Sequence, residues 1–203
     1  VLNDLLKERE PIETPRYVYV ATRGYQIQIP PLADECRMVF IDESLIGLVD
    51  GELPDDVQKV LNLRKGSDIP DEMGFGYAAI YGRTCAAWSV IDFIVDKAGE
   101  IRLVTDARYR RRGLAFLTSA MTIQYGLAHR LDQILWDVAA SNTGSIRTAQ
   151  KLGLSLLHEI KEYTLIFPEV GYQINLAWGH LDGGRFDQVH LVAEKMIGSD
   201  KEI

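Results

Sequence analysis

The stretch "EIRLVTDARYRRRGLA", residues 100–115, decides how this chain is read. Its opening "EIRLVT" is rich in β-branched and apolar residues and predicts a strand. Arg108, Arg110, Arg111 and Arg112 then crowd ahead of Gly113. Beyond the glycine the period changes: Leu114, Leu117, Met121, Tyr125 and Ala128 recur at helical spacing, which predicts an amphipathic helix over 113–129. A strand that turns into a helix through a short glycine-containing bend aims several unpaired backbone N–H groups at one spot. The helix dipole favours negative charge there by about 0.3–1 kcal/mol. Guanidinium groups add charge-assisted hydrogen bonds, and Gly113 lets the backbone come close. The bend is therefore expected to hold a diphosphate past the carboxyl end of the strand.

That concentration of arginine sits in an acidic chain, with 22 Lys and Arg against 29 Asp and Glu and a formal net charge of −7. The balance weighs against nucleic acid as a partner, since five arginines between 102 and 112 are its only support and Tyr109 alone interleaves them, short of the row of aromatics a base-stacking surface needs. At 203 residues, 47% hydrophobic and 25% charged, the chain has the composition of a soluble globular protein with one buried core and a small appendage. No apolar run approaches the ~18 residues of a membrane span, so no membrane partner is expected. The first ten residues, "VLNDLLKERE", are too charged for a signal peptide. Cys36 and Cys85 offer neither a disulfide framework nor metal-ligand spacing. They are expected as reduced, buried side chains, with no metal and a cytoplasmic setting.

Working outward, "GFGYAAIYG" (74–82) and "TCAAWSVIDFIV" (84–95) predict two strands joined at Gly82 and Arg83, and "DKAG" (96–99) a second turn before "EIRLVT". The result is an antiparallel meander over about 74–105. After the long helix, "QILWDVA" (133–139) predicts a strand parallel to the one before it. "SNTGSIRTAQKLGL" (141–154) predicts a helix with Asn142 as N-cap and Gly153 as stop, and "LLHEIKEYTLIF" (156–167) a further strand. The first seventy residues are less legible: "GYQIQIPP" (24–31) and "CRMVFID" (36–42) suggest short strands, "PDDVQKVLNL" a helix and "RKGSDIPDEMG" (64–74) a polar loop. Four histidines, His129, His158, His180 and His190, are scattered without a pairing pattern.

Neither a dinucleotide-fold glycine pattern nor a P-loop is present. Arg110-Arg111-Arg112-Gly113-Leu114-Ala115 instead resembles the coenzyme A loop Arg/Gln-x-x-Gly-x-Gly/Ala of the GNAT superfamily of N-acetyltransferases. Asn142, Ser145 and "AQKLGL" are similar to that family's second motif, and the likeness runs over roughly 74–167, closest to a bacterial subgroup with "YRxxGLA" and "WDxxxxN" blocks. One departure is Arg111, where glycine is common. The resemblance implies a mixed α/β (α+β) fold, with a mostly antiparallel central sheet flanked by helices, over 1–170. It implies acetyl-CoA as cosubstrate and transfer of its acetyl group to a primary amine of a small molecule or peptide. It further implies that Leu103, Val104 and Thr105 hold the pantetheine arm where the strand parts from its neighbour, with Val104 N–H facing the thioester oxyanion. Arg110, Arg111, Arg112, Gly113, Leu114 and Ala115 would take the diphosphate, with Asn142 and Ser145 assisting.

An alkylammonium costs about 4–5 kcal/mol to deprotonate at pH 7, so a base is useful. Glu100, in the "EI" context where family members place a carboxylate, is the first candidate, and Asp137 and Asp92 are alternatives. Asn142 stands as an orienting residue or an ordinary helix cap. The position of the family's acidic tyrosine is Ala149, and Tyr163 stands either as a substitute or as a core side chain. Transfer of a longer acyl chain, or a catalytically silent CoA-binding or protein-interaction domain, are alternative readings, and a homodimer is compatible with either. Residues 174–197 resemble one tetratricopeptide-type helical hairpin around "GGRF", so 171–203 is expected as a helical hairpin docked on the core.

Overall fold

The structure is a computed structural model that describes residues 12–32, 35–65, 67, 74–164, 176–178, 180–181 and 186–199. Its strands are β1 (Ile12–Thr22), β2 (Cys36–Phe40), β3 (Phe75–Tyr81), β4 (Thr84–Val95), β5 (Ala98–Thr105), β6 (Gln133–Ala139) and β7 (Ser155–Thr164). Its helices are α1 (Asp55–Arg64), α2 (Leu114–His129), α3 (Thr143–Lys151) and α4 (Phe186–Ser199), with 3-10 turns at Glu43–Leu48 and Ala107–Tyr109. Hydrogen bonding orders the strands β2-β3-β4-β5-β6-β1-β7. Pairing is antiparallel from β2 to β5 and parallel between β5 and β6, the mixed and mostly antiparallel sheet that the sequence predicts. The chain divides into two compact units, one of 19–137 with 147–157, the other of 1–18, 138–146 and 158–203.

In the larger unit the meander forms at the predicted turns. Tyr81 pairs with Thr84 across Gly82 and Arg83. The next turn is tighter than expected: Asp96 and Lys97 both adopt left-handed backbone, and Val95 already pairs with Ala98, so "AG" belongs to β5. Two positive-φ residues in a two-residue loop match the right-handed twist of the flanking strands. Strand alternation then gives the sheet two faces. Ala78, Ile80 and Val90 pack with Val57 and Val60 of α1 and with Ile41 and Leu45. Ala79 and Ala87 pack on the other face with Leu114 and Leu117 of α2. Burying each of those leucines contributes about 1.5–3 kcal/mol, which ties the start of α2 to the sheet.

One expected strand is corrected. Residues 24–31 form no strand: Ile27 C=O accepts from Gln124 Nε2 at 2.9 Å, and Pro30 and Pro31 have no N–H to give a ladder. The strand that does exist in this region, β1, had no clear signal, because Pro15 and Arg16 interrupt its alternation. The "RKGSDIPDEMG" loop, apart from Arg64, Lys65, Ser67 and Gly74, lies outside the described residues.

In the smaller unit Glu162 of β7 bonds Arg16 at 2.9 Å, Lys161 bonds Glu13 at 2.8 Å, and Ala140 N–H donates to Pro15 C=O at 2.8 Å. Of the expected hairpin, the described residues contain helix at 176–178, 180–181 and α4; of the expected "GGRF" turn, residues 183–185 lie outside them.

Candidate active site

Gly113 adopts left-handed backbone, φ 79°, as the N-cap of α2, and no side chain caps the helix there. Its conformation suits a residue without Cβ, and a Cβ placed on it meets no protein atom within 4 Å. The space above it is therefore open to a ligand. The first bond within the helix runs from Leu117 N–H to Gly113 C=O at 3.1 Å. Helix geometry leaves the N–H groups of Leu114, Ala115 and Phe116 without an intrahelical acceptor. Gly113, Leu114 and Phe116 line a cleft of about 690 Å³ together with Pro31, Leu32, Tyr81, Arg112 and Lys151.

The four arginines of the bend divide their work. Arg108 is held by Asp106 through Nε at 3.1 Å and Nη2 at 2.8 Å, and Asp106 also accepts from Arg108 N–H. The side-chain bonds first, then the backbone bond, hold the Asp106 carboxyl down at about 2. Arg110 Nε lies 3.4 Å from Thr105 C=O, latching the loop to the end of β5. Arg111 carries left-handed backbone, φ 61°, at the position where the family commonly has glycine; non-glycine residues bear a cost of about 1–2 kcal/mol in that region. Arg112 alone of the four lines the cleft. Its guanidinium lies over the rings of Tyr81 (5.1 Å) and Tyr109 (5.5 Å), and Tyr81 Oη in turn donates to Glu35. Lys151 Nζ lies 5.2 Å over the Phe116 ring on the cleft wall. Sequence reading did not single out Tyr81, Phe116 or Lys151, although Lys151 stands inside the quoted "AQKLGL".

β5 and β6 pair through Ala98–Gln133, Gly99–Ile134 and Glu100–Leu135, and no further. Ile101 to Thr105 continue along β4 while their β6 side is free of pairing. Leu103, Val104 and Thr105 all lie on this parted segment, and Val104 is exposed. Thr105 Oγ1 is a buried hydroxyl that finds no partner among the described residues. On the β4 side the register shifts between Ile91 and Phe93, leaving Asp92 as the extra residue of a bulge opposite Ile101 and Glu100. A bulge re-aims its side chain, and the Asp92 carboxylate, with 2% of its side chain exposed, bonds Lys59 of α1 at 2.6 Å and also Arg102. Arg102 lies 3.7 Å from Asp56, which accepts from the Trp88 indole at 3.4 Å.

Glu100 opens into a small cleft of about 250 Å³ with Lys59, Asp92, Phe93 and Arg102. Asp92 is occupied by two cations, whereas no described residue bonds the Glu100 carboxylate, so of these two Glu100 is the one available to take a proton. Asp137 stands half-buried on β6, itself engaged in an interaction. In the smaller unit Asn142 Oδ1 accepts from Ser145 N–H at 3.1 Å, the cap read from sequence. Ala149 is wholly buried, and α3 ends as predicted, with Gly153 N–H bonded to Gln150 C=O and Leu154 N–H to Ala149 C=O. Tyr163 is exposed on β7, not a core side chain. Cys36 is buried and Cys85 half-buried, both free thiols, and burial pushes Cys85 up to about 12. No group of three metal-ligating side chains occurs among the described residues, and no described helix is long and apolar enough to cross a membrane.

Known structures with this arrangement bear the fold out. A GCN5-related N-acetyltransferase-like protein from Streptococcus suis superposes with a TM-score of 0.60 at 22% identity, covering 80% of this chain and 67% of that one. A GCN5-related N-acetyltransferase from Sphaerobacter thermophilus gives 0.56 at 13%, covering 80% of this chain and 56% of its own. An acetyltransferase of the GNAT family from Colwellia psychrerythraea gives 0.51 at 13%, covering 74% and 55%. The chain thus spans between about half and two thirds of these relatives' lengths. No curated protein matches it. The family model described as GNAT acetyltransferase matches residues 30–165, more than half of the sequence and the span that holds both clefts, and the chain belongs to that family.

Proposed function

We propose that this chain transfers the acetyl group of acetyl-CoA to a primary amine of a small molecule or peptide by direct attack on the thioester. The supporting observation is the cleft at the N-terminus of α2. There, unpaired amides, the ring-held Arg112 and Lys151 face open space above Gly113, beside a β5 segment that β6 has released. These residues fit a diphosphate on physical grounds, since donors and cations converge and no Cβ blocks the approach. When bound, acetyl-CoA supplies an acyl group already activated as a thioester. Arg110, Arg111, Arg112, Gly113, Leu114 and Ala115 hold the diphosphate, and Leu103, Val104 and Thr105 the pantetheine arm. Val104 N–H stabilises charge on the carbonyl oxygen. Glu100 accepts the proton of the incoming ammonium. Asp137 is the second choice as base, and Asn142 and Ser145 serve the second motif.

Isothermal titration of acetyl-CoA against the wild-type chain and Gly113→Glu tests this reading. Binding to the wild type and its loss in a folded variant support it, and equal binding by both overturns it. A mass-spectrometric screen of amines then identifies the acceptor. A second reading, a silent CoA-binding domain, draws on one observation: the tyrosine position of the family is Ala149, buried and without a hydroxyl. Binding with no turnover of any amine would favour it.

A further inference from the structure

β7 stands at the end of the strand order, and one edge of it meets no strand among the described residues. Nine of its ten residues are exposed, among them Leu156, Leu157, Ile160 and Tyr163. A long strand edge with apolar side chains on both faces is a template for another strand. The order of its charges specifies which strand. In a continuous sheet made by a twofold axis perpendicular to it, facing residues share a face, so the axis must pass beside a single residue. Centred on Ile160, an antiparallel pairing of two copies sets Glu159 opposite Lys161, His158 opposite Glu162 and Leu157 opposite Tyr163, each contact occurring twice. Moving the axis to Glu159 sets Leu157 against Lys161 and Leu156 against Glu162; moving it to Lys161 sets Ile160 against Glu162 and Glu159 against Tyr163. Only the Ile160 register matches charge with charge and apolar with apolar. The chain's own β1 uses Lys161 and Glu162, through Glu13 and Arg16, and leaves Glu159 and His158 without ion pairs among the described residues.

We propose that the free edge of β7 binds a second copy of this chain, antiparallel and centred on Ile160. Cross-strand pairs of opposite charge, and aromatic with aliphatic, are the units that stabilise such a ladder. Sedimentation equilibrium tests the pairing. The wild type is expected at twice the chain mass of 22.8 kDa. Glu159→Lys alone faces Lys161 of the second copy, and Lys161→Glu alone faces its Glu159, so each variant is expected as a monomer with unchanged far-ultraviolet circular dichroism. Mixed in equal amounts, the two variants set a lysine opposite a glutamate at both places, because one strand then carries two cations and the other two anions, and the dimer mass returns. A monomeric wild type, a dimer that both variants retain, or a mixture that stays monomeric would each overturn the proposal.

Discussion

At the level of single residues, part of the charge at the loop holds the loop itself. Asp106 takes Arg108 out of play, and its carboxyl sits at about 2 against an ordinary 3.8 because of the bonds from Arg108. A depressed carboxyl contributes stability that is full above the unfolded value, near 4, and lost as pH falls through the folded one. The loop is therefore expected to keep its Asp106–Arg108 lock down to about pH 3 and release it near pH 2. Carboxyl chemical shifts across about pH 1–5 would show it, and a midpoint near 4 would refute it. Glu100 is expected to matter in a different pH range. Glu100→Gln should lower turnover at neutral pH by about 10²–10⁴-fold, the usual size of general-base assistance. Activity should recover partly at high pH, where more of the amine is neutral. A rate profile parallel to the wild type at every pH would remove Glu100 from the mechanism. The sequence showed both residues but not their circumstances. That Asp92 would be consumed by Lys59 and Arg102 depends on a bulge and on a helix far upstream in the chain, and spacing along the chain carries neither.

Secondary-structure elements were legible where a turn and a period agreed. β3, β4 and β5 were legible because the turn signals at Gly82-Arg83 and "DKAG" separate β-rich runs, and α2 and α3 because glycine marks the start of one and the end of the other. β1 was hidden by its proline, and 24–31 misled because the Ile27 carbonyl meets a side-chain donor, Gln124, in place of a ladder. The cleft beside Glu100 was illegible for a related reason, since its lining comes from α1, the bulged end of β4 and β5 rather than from one motif. Close approach sets the strongest test of the meander. A Cβ on Gly76 of β3 would lie 2.1 Å from Ser89 C=O and 3.0 Å from Val90 Cα, both backbone atoms of β4 that cannot rotate away. Overpacking of this kind costs about 1–3 kcal/mol or more, and for a chain of this size each kcal/mol moves the melting temperature by about 2–4 °C. Gly76→Ala is expected to melt at least ~2 °C below the wild type in calorimetry. An unchanged melting temperature would mean that β3 and β4 are not in the register described.

For the whole molecule, the proposed function requires a chain of net charge −7 to attract a polyanion. The family and fold could be read from two motifs because each joins a local residue pattern to a strand–helix junction; the acceptor could not, because nothing in a single local pattern encodes it. Electrostatics has the same two ranges. At low ionic strength, about 0.01 M, the screening length is about 30 Å and a CoA thioester feels the summed acidic charge of the protein. At about 0.1 M the length falls to about 10 Å, distant carboxylates fade, and Arg110, Arg111, Arg112 and Lys151 near the cleft dominate. Near 1 M, at about 3 Å, these are screened as well. Affinity for acetyl-CoA is therefore expected to rise from about 0.01 to about 0.1 M salt and fall beyond it, whereas an isolated cationic site would only weaken with salt. Calorimetric titrations across that range, with a salt whose anion binds phosphate sites poorly, measure the curve directly. In Arg112→Ala the maximum should flatten, because the nearby attraction shrinks while the distant repulsion stays. A monotonic decline in the wild type would show that the acidic remainder of the molecule lies too far from the cleft to act, and that the arginine bend works as though the rest of the chain were neutral.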